Sequence, residues 1–316
     1  MRILITGITG FVGGHLVESM VTAGGHALAG VSRDSTWPRH LAHLEGKAEL
    51  HVTDIVDEPR LEAILRQTHP EWIFHLAGYA NTGGSFQESD SCWHDNLTAT
   101  RSLYDAIVRS ELCPRILFVS TGLVYGDPDE SGRPCDERTT LKPASPYAAS
   151  KAAADLLSYQ YTRNPGLDIV RIRLFNQVGP RQSPDYAVAN FARQIAAIEA
   201  GKQPPRIETG DLSAQRDITD VRDTVAAFPL LLQKGEKGEV YNAGRGETFS
   251  MLDILNRLLA LSKVEVEVTQ KSERKADTAV TRADPRKLQG TTGWAPRIPL
   301  EKTLLEILEY WRSQLL

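Results

Sequence analysis

Three cysteines in 316 residues, Cys92, Cys113 and Cys135, are too few and too widely spaced for a disulfide framework or a metal-ligand motif. They read as packing residues of a reduced, cytoplasmic protein, and no metal is expected. Charge of one sign is also scarce: 24% of the residues are charged, the net charge is only −4, and no long run of either sign occurs. That excludes a nucleic-acid arm or a membrane-binding patch and leaves small molecules as the expected partners. No apolar run nears the length of a membrane span, and the N-terminal one, Ile3 to Ile5, stops at glycines. Repeats, low-complexity tracts and long linkers are missing as well, so the length points to one large α/β unit in two lobes.

What is present begins with a strand, residues 2 to 6, followed by GITGFVGGH and a helical run from Leu16 to Val21. Gly7, Gly10 and Gly13, with Phe11 and Val12 between them, form a GxxGxxG turn from strand to helix. Such a turn lets backbone approach a pyrophosphate, and the helix offers it free N–H groups and a positive dipole end. A dinucleotide is the expected ligand. The second strand, His26 to Val31, ends in Ser32, Arg33 and Asp34, where an acid suits a ribose 2′-OH and an arginine a 2′-phosphate. Arg33 favours NADP(H); Asp34 taking the acid's place, or Arg33 facing solvent, leaves NAD(H) open.

Asp54 and Ile55 follow a third strand, where the adenine is expected. The strand WIFHLAG, residues 72 to 78, ends in Leu76, Ala77 and Gly78, small enough for close approach to a cofactor. The loop from Tyr79 to Glu88, with Ser85 and Phe86, falls where a parallel sheet opens its binding crevice. A helix from about Asn96 to Ser110 carries Leu97, Leu103, Tyr104, Ile107 and Val108 on an apolar side that fits either a core or a dimer face. Strand Ile116 to Ser120 leads to Thr121, a hydroxyl suited to a substrate oxygen or to a local turn.

Ser145 and Pro146 make a good helix opening, since the serine caps free N–H groups and the proline gives up no needed donor. Tyr147 and Lys151 then share one helical face. A free phenol titrates near about 10, but a nearby cation and a helix dipole favour the phenolate, which makes Tyr147 a candidate general acid or base. Alone, such a pair is common on solvated faces. Alternating strand and helix patterns through about residue 175 argue a parallel doubly wound sheet.

Together the glycine turn, the hydroxyl at a strand end and YxxxK resemble the extended short-chain dehydrogenase/reductase family of nucleotide-sugar enzymes. The resemblance implies a Rossmann-like fold with a smaller C-terminal α/β lobe that binds the sugar nucleotide. The cofactor domain would span residues 1–175 with a return near 217–244, and the substrate lobe 176–216 and 245–316. It also implies proton exchange by Tyr147, support from Lys151, substrate orientation by Thr121, a structural or relay role for Asn96, and a homodimer through helices near 96–110 and 147–162. RIRLFNQVGPRQ (171–182), FARQI (191–195), GDLSAQRDITDVRD (210–223), VYNAG (240–244) and TTGWAPRIPLEKTLLEIL (291–308) look most like the branch of GDP-6-deoxy-D-mannose reductases. Those enzymes reduce the 4-keto group of GDP-4-dehydro-6-deoxy-D-mannose to give GDP-D-rhamnose. By resemblance Asn176, Arg216 and Arg274 contact the diphosphate region, and Ser85, Arg181 and Arg193 line the substrate site. The chain departs from the branch pattern at Leu174, Gln177 and Arg181, where a Pro, a His and a Gly are usual. Related 4,6-dehydratases carry acids just after the threonine, where this chain has Gly122 and Leu123, so their C5 and C6 chemistry has no acid and base here. A C4 epimerase with tightly held NAD is the alternative enzyme, and a dinucleotide-sensing regulator the non-enzyme one.

Overall fold

The computed structural model describes residues 1–127, 132–270 and 279–315. Its strands are β1 (Arg2–Thr6), β2 (Ala27–Ser32), β3 (Glu49–Val52), β4 (Trp72–His75), β5 (Arg115–Thr121), β6 (Asp168–Leu174), β7 (Asn176–Val178), β8 (Arg206–Thr209), β9 (Gln215–Asp220), β10 (Val240–Ala243), β11 (Thr248–Ser250), β12 (Glu267–Gln270) and β13 (Val280–Thr281). The α-helices are α1 (Phe11–Ala23), α2 (Glu58–Thr68), α3 (Ser89–Trp93), α4 (Ala99–Ser110), α5 (Pro146–Arg163), α6 (Ala187–Glu199), α7 (Val221–Lys234), α8 (Met251–Leu259), α9 (Arg286–Thr292) and α10 (Leu300–Leu315).

Seven strands form one parallel sheet in the order β10-β6-β5-β4-β1-β2-β3. The alternation along β1 shows why both faces are covered. Ile3 and Ile5 pack with Leu16 and Met20 of α1 and with Phe228 and Leu231 of α7, whereas Leu4 packs with Leu61 and Leu65 of α2 and Leu103 of α4. Successive strand side chains point to opposite faces, so a strand apolar on both sides needs helices on both. The strand order reverses between β1 and β4, and at such a reversal a doubly wound sheet leaves a crevice beyond its strand ends. This is a Rossmann-like α/β fold.

The smaller lobe has its own core. β9 pairs parallel with β7 and β13 and antiparallel with β11, and β8 pairs with β12. Phe191 and Ile195 of α6, Ile254 and Leu258 of α8, and Leu304 and Ile307 of α10 form the apolar cluster. Leu288 of α9 and Trp294 fall within the span expected for this lobe but join the first core, against α7 and β10.

Local chemistry sets the element ends. Ser145 Oγ accepts from Ala148 N (3.2 Å) at the start of α5, and Asp57 and Ser250 cap α2 and α8 in the same way. One expected boundary is corrected. The helix assigned to 96–110 starts at Ser89, runs as α3 into a π-helical turn at His94–Thr98, and continues as α4. The polar run SDSCWHD hides the earlier start because it carries no apolar period, and a π-turn inserts an extra residue that breaks any 3.6 pattern. Leu103, Tyr104 and Ile107 are core residues, while Val108 remains 39% exposed.

Candidate active site

The β1–α1 turn is shaped by backbone proximity. Gly7 has φ +70°, and a Cβ there would lie 2.8 Å from Ala77 N; at Gly13 a Cβ would collide with the Gly7 carbonyl. Only glycine fits such close approach. α1 opens without a side-chain cap, so its first N–H groups are free for an anion. A cavity of about 440 Å³ lies over this turn, walled by Gly7, Gly10, Phe11, Val12 and Gly13 on one side and by Leu76, Ala77 and Gly78 on another.

At the end of β2, Ser32 and Arg33 reach the same cavity, as do Asp54 and Ile55 after β3. The Ser32 hydroxyl lies 3.0 Å from Thr9 Oγ1 and accepts from Asp34 N (3.0 Å). Arg33 is 68% exposed, and its guanidinium meets Asp95 Oδ2 at 3.4 Å. This loosely tethered cation stands beside two hydroxyls. The cradle and its donors therefore fit a dinucleotide.

Across the cavity, β5 delivers Thr121 and α5 delivers Tyr147 and Lys151. Thr121 Oγ1 accepts from Leu123 N (3.2 Å), and the hydroxyl favours the ionised form of the Tyr147 phenol. Lys151 is 7% exposed, donates to Val119 O (2.7 Å) and sits 5.1 Å from the centre of the Phe118 ring. Burial pulls its ammonium down to about 8. Asp155, one turn on, opposes this only in part, because its carboxylate is committed to Arg171 (2.5 Å) and Arg173 (2.8 Å). For Tyr147 the expected lowering is corrected: burial pushes the phenol up, helped by Tyr186, and the Thr121 hydroxyl offsets this only partly. The Lys151 ammonium is turned to the Val119 carbonyl, so desolvation wins.

A buried hydrogen-bonded chain that the sequence reading missed ties the cofactor wall to Tyr147. Ala77 N–H donates to Thr6 Oγ1 (3.2 Å), which lies 2.7 Å from His75 Nδ1; His75 Nε2 lies 2.9 Å from Thr100 Oγ1, which donates to Asn96 O (2.6 Å). Asn96 Nδ2 then donates to Ser150 Oγ (2.9 Å), and Ser150 Oγ to Tyr147 O (2.9 Å). Because Asn96 O can only accept, Thr100 must accept from His75 Nε2–H. Burial holds the His75 pKa down to about 3, so the ring is neutral and Nδ1 is the acceptor. The histidine inside an apolar strand was the available signal. Asn96 was expected to have a structural or relay role, but the π-turn that carries it left no signal.

The substrate side matches expectation less evenly. Asn176 lines the cavity and accepts from Thr281 Oγ1 (3.0 Å), and Gln177, Gln182, Tyr79 and Tyr186 join it. Ser85 is fully buried and off the wall, its hydroxyl donated to Thr82 O (2.6 Å) to close the loop. Arg181 also lies off the wall: it bonds Glu18 Oε2 (2.6 Å) and His15 Nδ1 (3.0 Å) of α1. Its φ of +75°, in the left-handed region, costs about 1 kcal/mol or more for a non-glycine residue, and those bonds hold it there. Arg193 turns to Asn190 Oδ1 (3.1 Å), and Arg216 donates to Gln215 O (2.9 Å); neither is on the cavity wall. Arg274 lies outside the described residues. Gly122 packs under Phe175, whose ring would sit 2.8 Å from a Cβ, so a carboxylate side chain has no room there. Among the described residues no group of three or more acidic, histidine or cysteine side chains could hold a metal, and no helix is long and apolar enough to cross a membrane.

Comparison with known proteins agrees with this geometry. The family model described as GDP-mannose 4,6 dehydratase matches residues 4–307. A GDP-6-deoxy-D-mannose reductase from Pseudomonas aeruginosa is 32% identical over 317 residues, covering 99% of this chain and 98% of the relative. A UDP-glucose 4-epimerase from Mycolicibacterium smegmatis is 30% identical, covering 99% of each. The structure of RMD from Pseudomonas aeruginosa complexed with NADPH superposes with a TM-score of 0.87 at 31% identity, covering 99% of this chain and 100% of that one.

Proposed function

Given that the chain belongs to the GDP-mannose 4,6 dehydratase family of extended short-chain dehydrogenases/reductases, we propose that this oxidoreductase uses NADPH to reduce the C4 keto group of a nucleotide-activated 4-keto-6-deoxy sugar. The substrate assigned is GDP-4-dehydro-6-deoxy-D-mannose and the product GDP-D-rhamnose. One observation carries the reading: Thr121 and Tyr147 line the same cavity beside Lys151, while the two positions after Thr121 are Gly122 and Leu123. This is the equipment for moving one proton at a carbonyl, without the carboxyl pair that elimination of water requires.

The glycine turn and α1 would hold the pyrophosphate, Asp54 and Ile55 the adenine, and Ser32 with Arg33 the 2′-phosphate. When bound, the reduced cofactor supplies the hydride. Thr121 holds the C4 carbonyl oxygen, and Tyr147 gives that oxygen its proton. A phenol raised by burial is fully protonated at neutral pH, which suits the reductive direction. Lys151, with a pKa of about 8, is mostly ammonium there and would stabilise the phenolate left behind on turning from Val119 O. Asn176 would meet the diphosphate region. Arg216, the register partner of the cavity residue Thr281, is assigned as its guanidinium. Exposed Val108, Leu156 and Tyr159 on α4 and α5 support a homodimer through those helices. Three free cysteines support a cytoplasmic location.

The test is NADPH oxidation with GDP-4-dehydro-6-deoxy-D-mannose, with NADH and the dTDP- and UDP-keto sugars as parallel samples. Rapid oxidation with the GDP sugar alone supports the assignment, and none with any keto sugar overturns it. The full-length similarity to a UDP-glucose 4-epimerase favours C4 epimerisation as the second reading. NAD retained through purification would mark that enzyme, because an epimerase must keep its cofactor between half-reactions.

A further inference from the structure

Asn176, Gln177 and Gln182 form one stretch of the cavity wall. Gln177 and Gln182 both line the cavity, and Gln182 is 6% exposed. Gln182 Nε2 donates to Gln177 O (2.9 Å), yet the side-chain amide oxygens of both residues are buried without a hydrogen-bond partner. Two orphaned acceptors on one wall are costly unless a bound molecule satisfies them. Terminal amide torsions are broad, so a small rotation turns either oxygen towards the cavity.

The wall is braced from behind. Arg181, between the two glutamines' turns, reaches Glu18 (2.6 Å) and His15 (3.0 Å), and His15 Nε2 meets Pro180 O (3.1 Å). His15 in turn stands edge-on to Phe11, which lines the same cavity, at 5.3 Å. Phe11, His15 and Glu18 follow helical spacing on α1, so one helix face carries both the cofactor turn and the brace.

Resting on the reading above, we propose that Gln177 and Gln182 form a carboxamide wall that accepts N–H or O–H donors of the bound ligand and sets specificity at this site, with Arg181 as its positioning residue. The donor is either the cofactor's carboxamide or a hydroxyl of the sugar nucleotide. Both carry the same chemistry, and binding measurements separate them.

Gln177→Met and Gln182→Met keep the side-chain shape and remove the acceptor. NADPH affinity is read by fluorescence in the binary complex and GDP-mannose affinity by calorimetry, with thermal melting as the check on folding. About tenfold weakening of NADPH assigns the cofactor's carboxamide, and about tenfold weakening of GDP-mannose assigns a sugar-nucleotide hydroxyl. Both affinities within twofold of the parent in folded variants overturn the wall. Gln177, only partly buried, carries the test should the Gln182 variant not fold. Arg181→Gly relieves the left-handed strain and frees the loop, so it weakens the same ligand as the glutamine variants; a shift in melting alone overturns its positioning role. Unchanged affinities with intact keto-sugar turnover remove the wall and leave the reductase. Shifted affinities without turnover remove the reductase and leave the wall.

Discussion

The cofactor side and the substrate side of the one cavity behave differently as objects of inference. On the cofactor side every residue expected from sequence, from Gly7 through Gly78 and on to Tyr147 and Lys151, lies on the wall. On the substrate side Thr121 and Asn176 do, while Ser85, Arg181, Arg193 and Arg216 turn to other partners. The first set is placed by backbone: a glycine turn, strand ends and a capped helix leave little choice. Long side chains on the second lobe choose among several acceptors, and a guanidinium several bonds from its Cα can satisfy itself away from the cavity.

The sharpest way to break this contrast is at Tyr147. Tyr147→Phe should cut turnover by about 10²- to 10⁴-fold while NADPH binding, measured by fluorescence, stays within about twofold; turnover near the parent's would remove the catalytic assignment. Next in size is Gly13→Ala. The new methyl meets the Gly7 carbonyl, which cannot move without disturbing the turn, so NADPH affinity should fall about 100-fold, equivalent to about 2.7 kcal/mol. Parent-like affinity would show that the turn is not the pyrophosphate site. Arg33→Ala sharpens the cofactor choice: NADPH should weaken by about tenfold with NADH unchanged, as expected for one charge-assisted contact. Equal effects on both would return the ribose contact to Asp34.

A further effect concerns stability. His75 stays neutral in the folded protein down to a pKa of about 3, whereas an unfolded histidine takes a proton below about 6.5. Between those values the unfolded state binds more protons. Stability contributed by neutral burial is therefore present above pH 6.5 and lost on acidification, at up to about 1.4 kcal/mol per pH unit. Urea unfolding of the parent and of His75→Gln at pH 7 and pH 5 measures this, and the variant should show the shallower dependence. An unchanged slope would mean that other groups dominate.

Legibility followed the length scale of the constraint. Strand β1 and helix α5 could be read because a buried run and a Ser-Pro cap act within a few residues. His75 sat in plain view within WIFHLAG, but its partners Thr6 and Thr100 are 69 and 25 residues away, and no local pattern joins them. The direction of the Tyr147 shift was misjudged for a related reason. Helical spacing places Lys151 on the right face but does not say that its ammonium would be bound to Val119 O, a strand residue 32 positions away.

By itself the sequence determined the doubly wound parallel sheet, the glycine cradle and the capped helix that puts Tyr147 and Lys151 on one face, because each follows from steric and hydrogen-bonding rules that operate along the chain; the grouping of Thr121 with them came from the family resemblance. Tertiary structure alone decided which polar groups remain unpaired at the cavity and which are consumed elsewhere. It left Gln177 and Gln182 with bare oxygens and tied Arg181 to Glu18, 163 residues away. Burial and pairing are properties of the packed whole, since desolvation depends on every element that closes around a group.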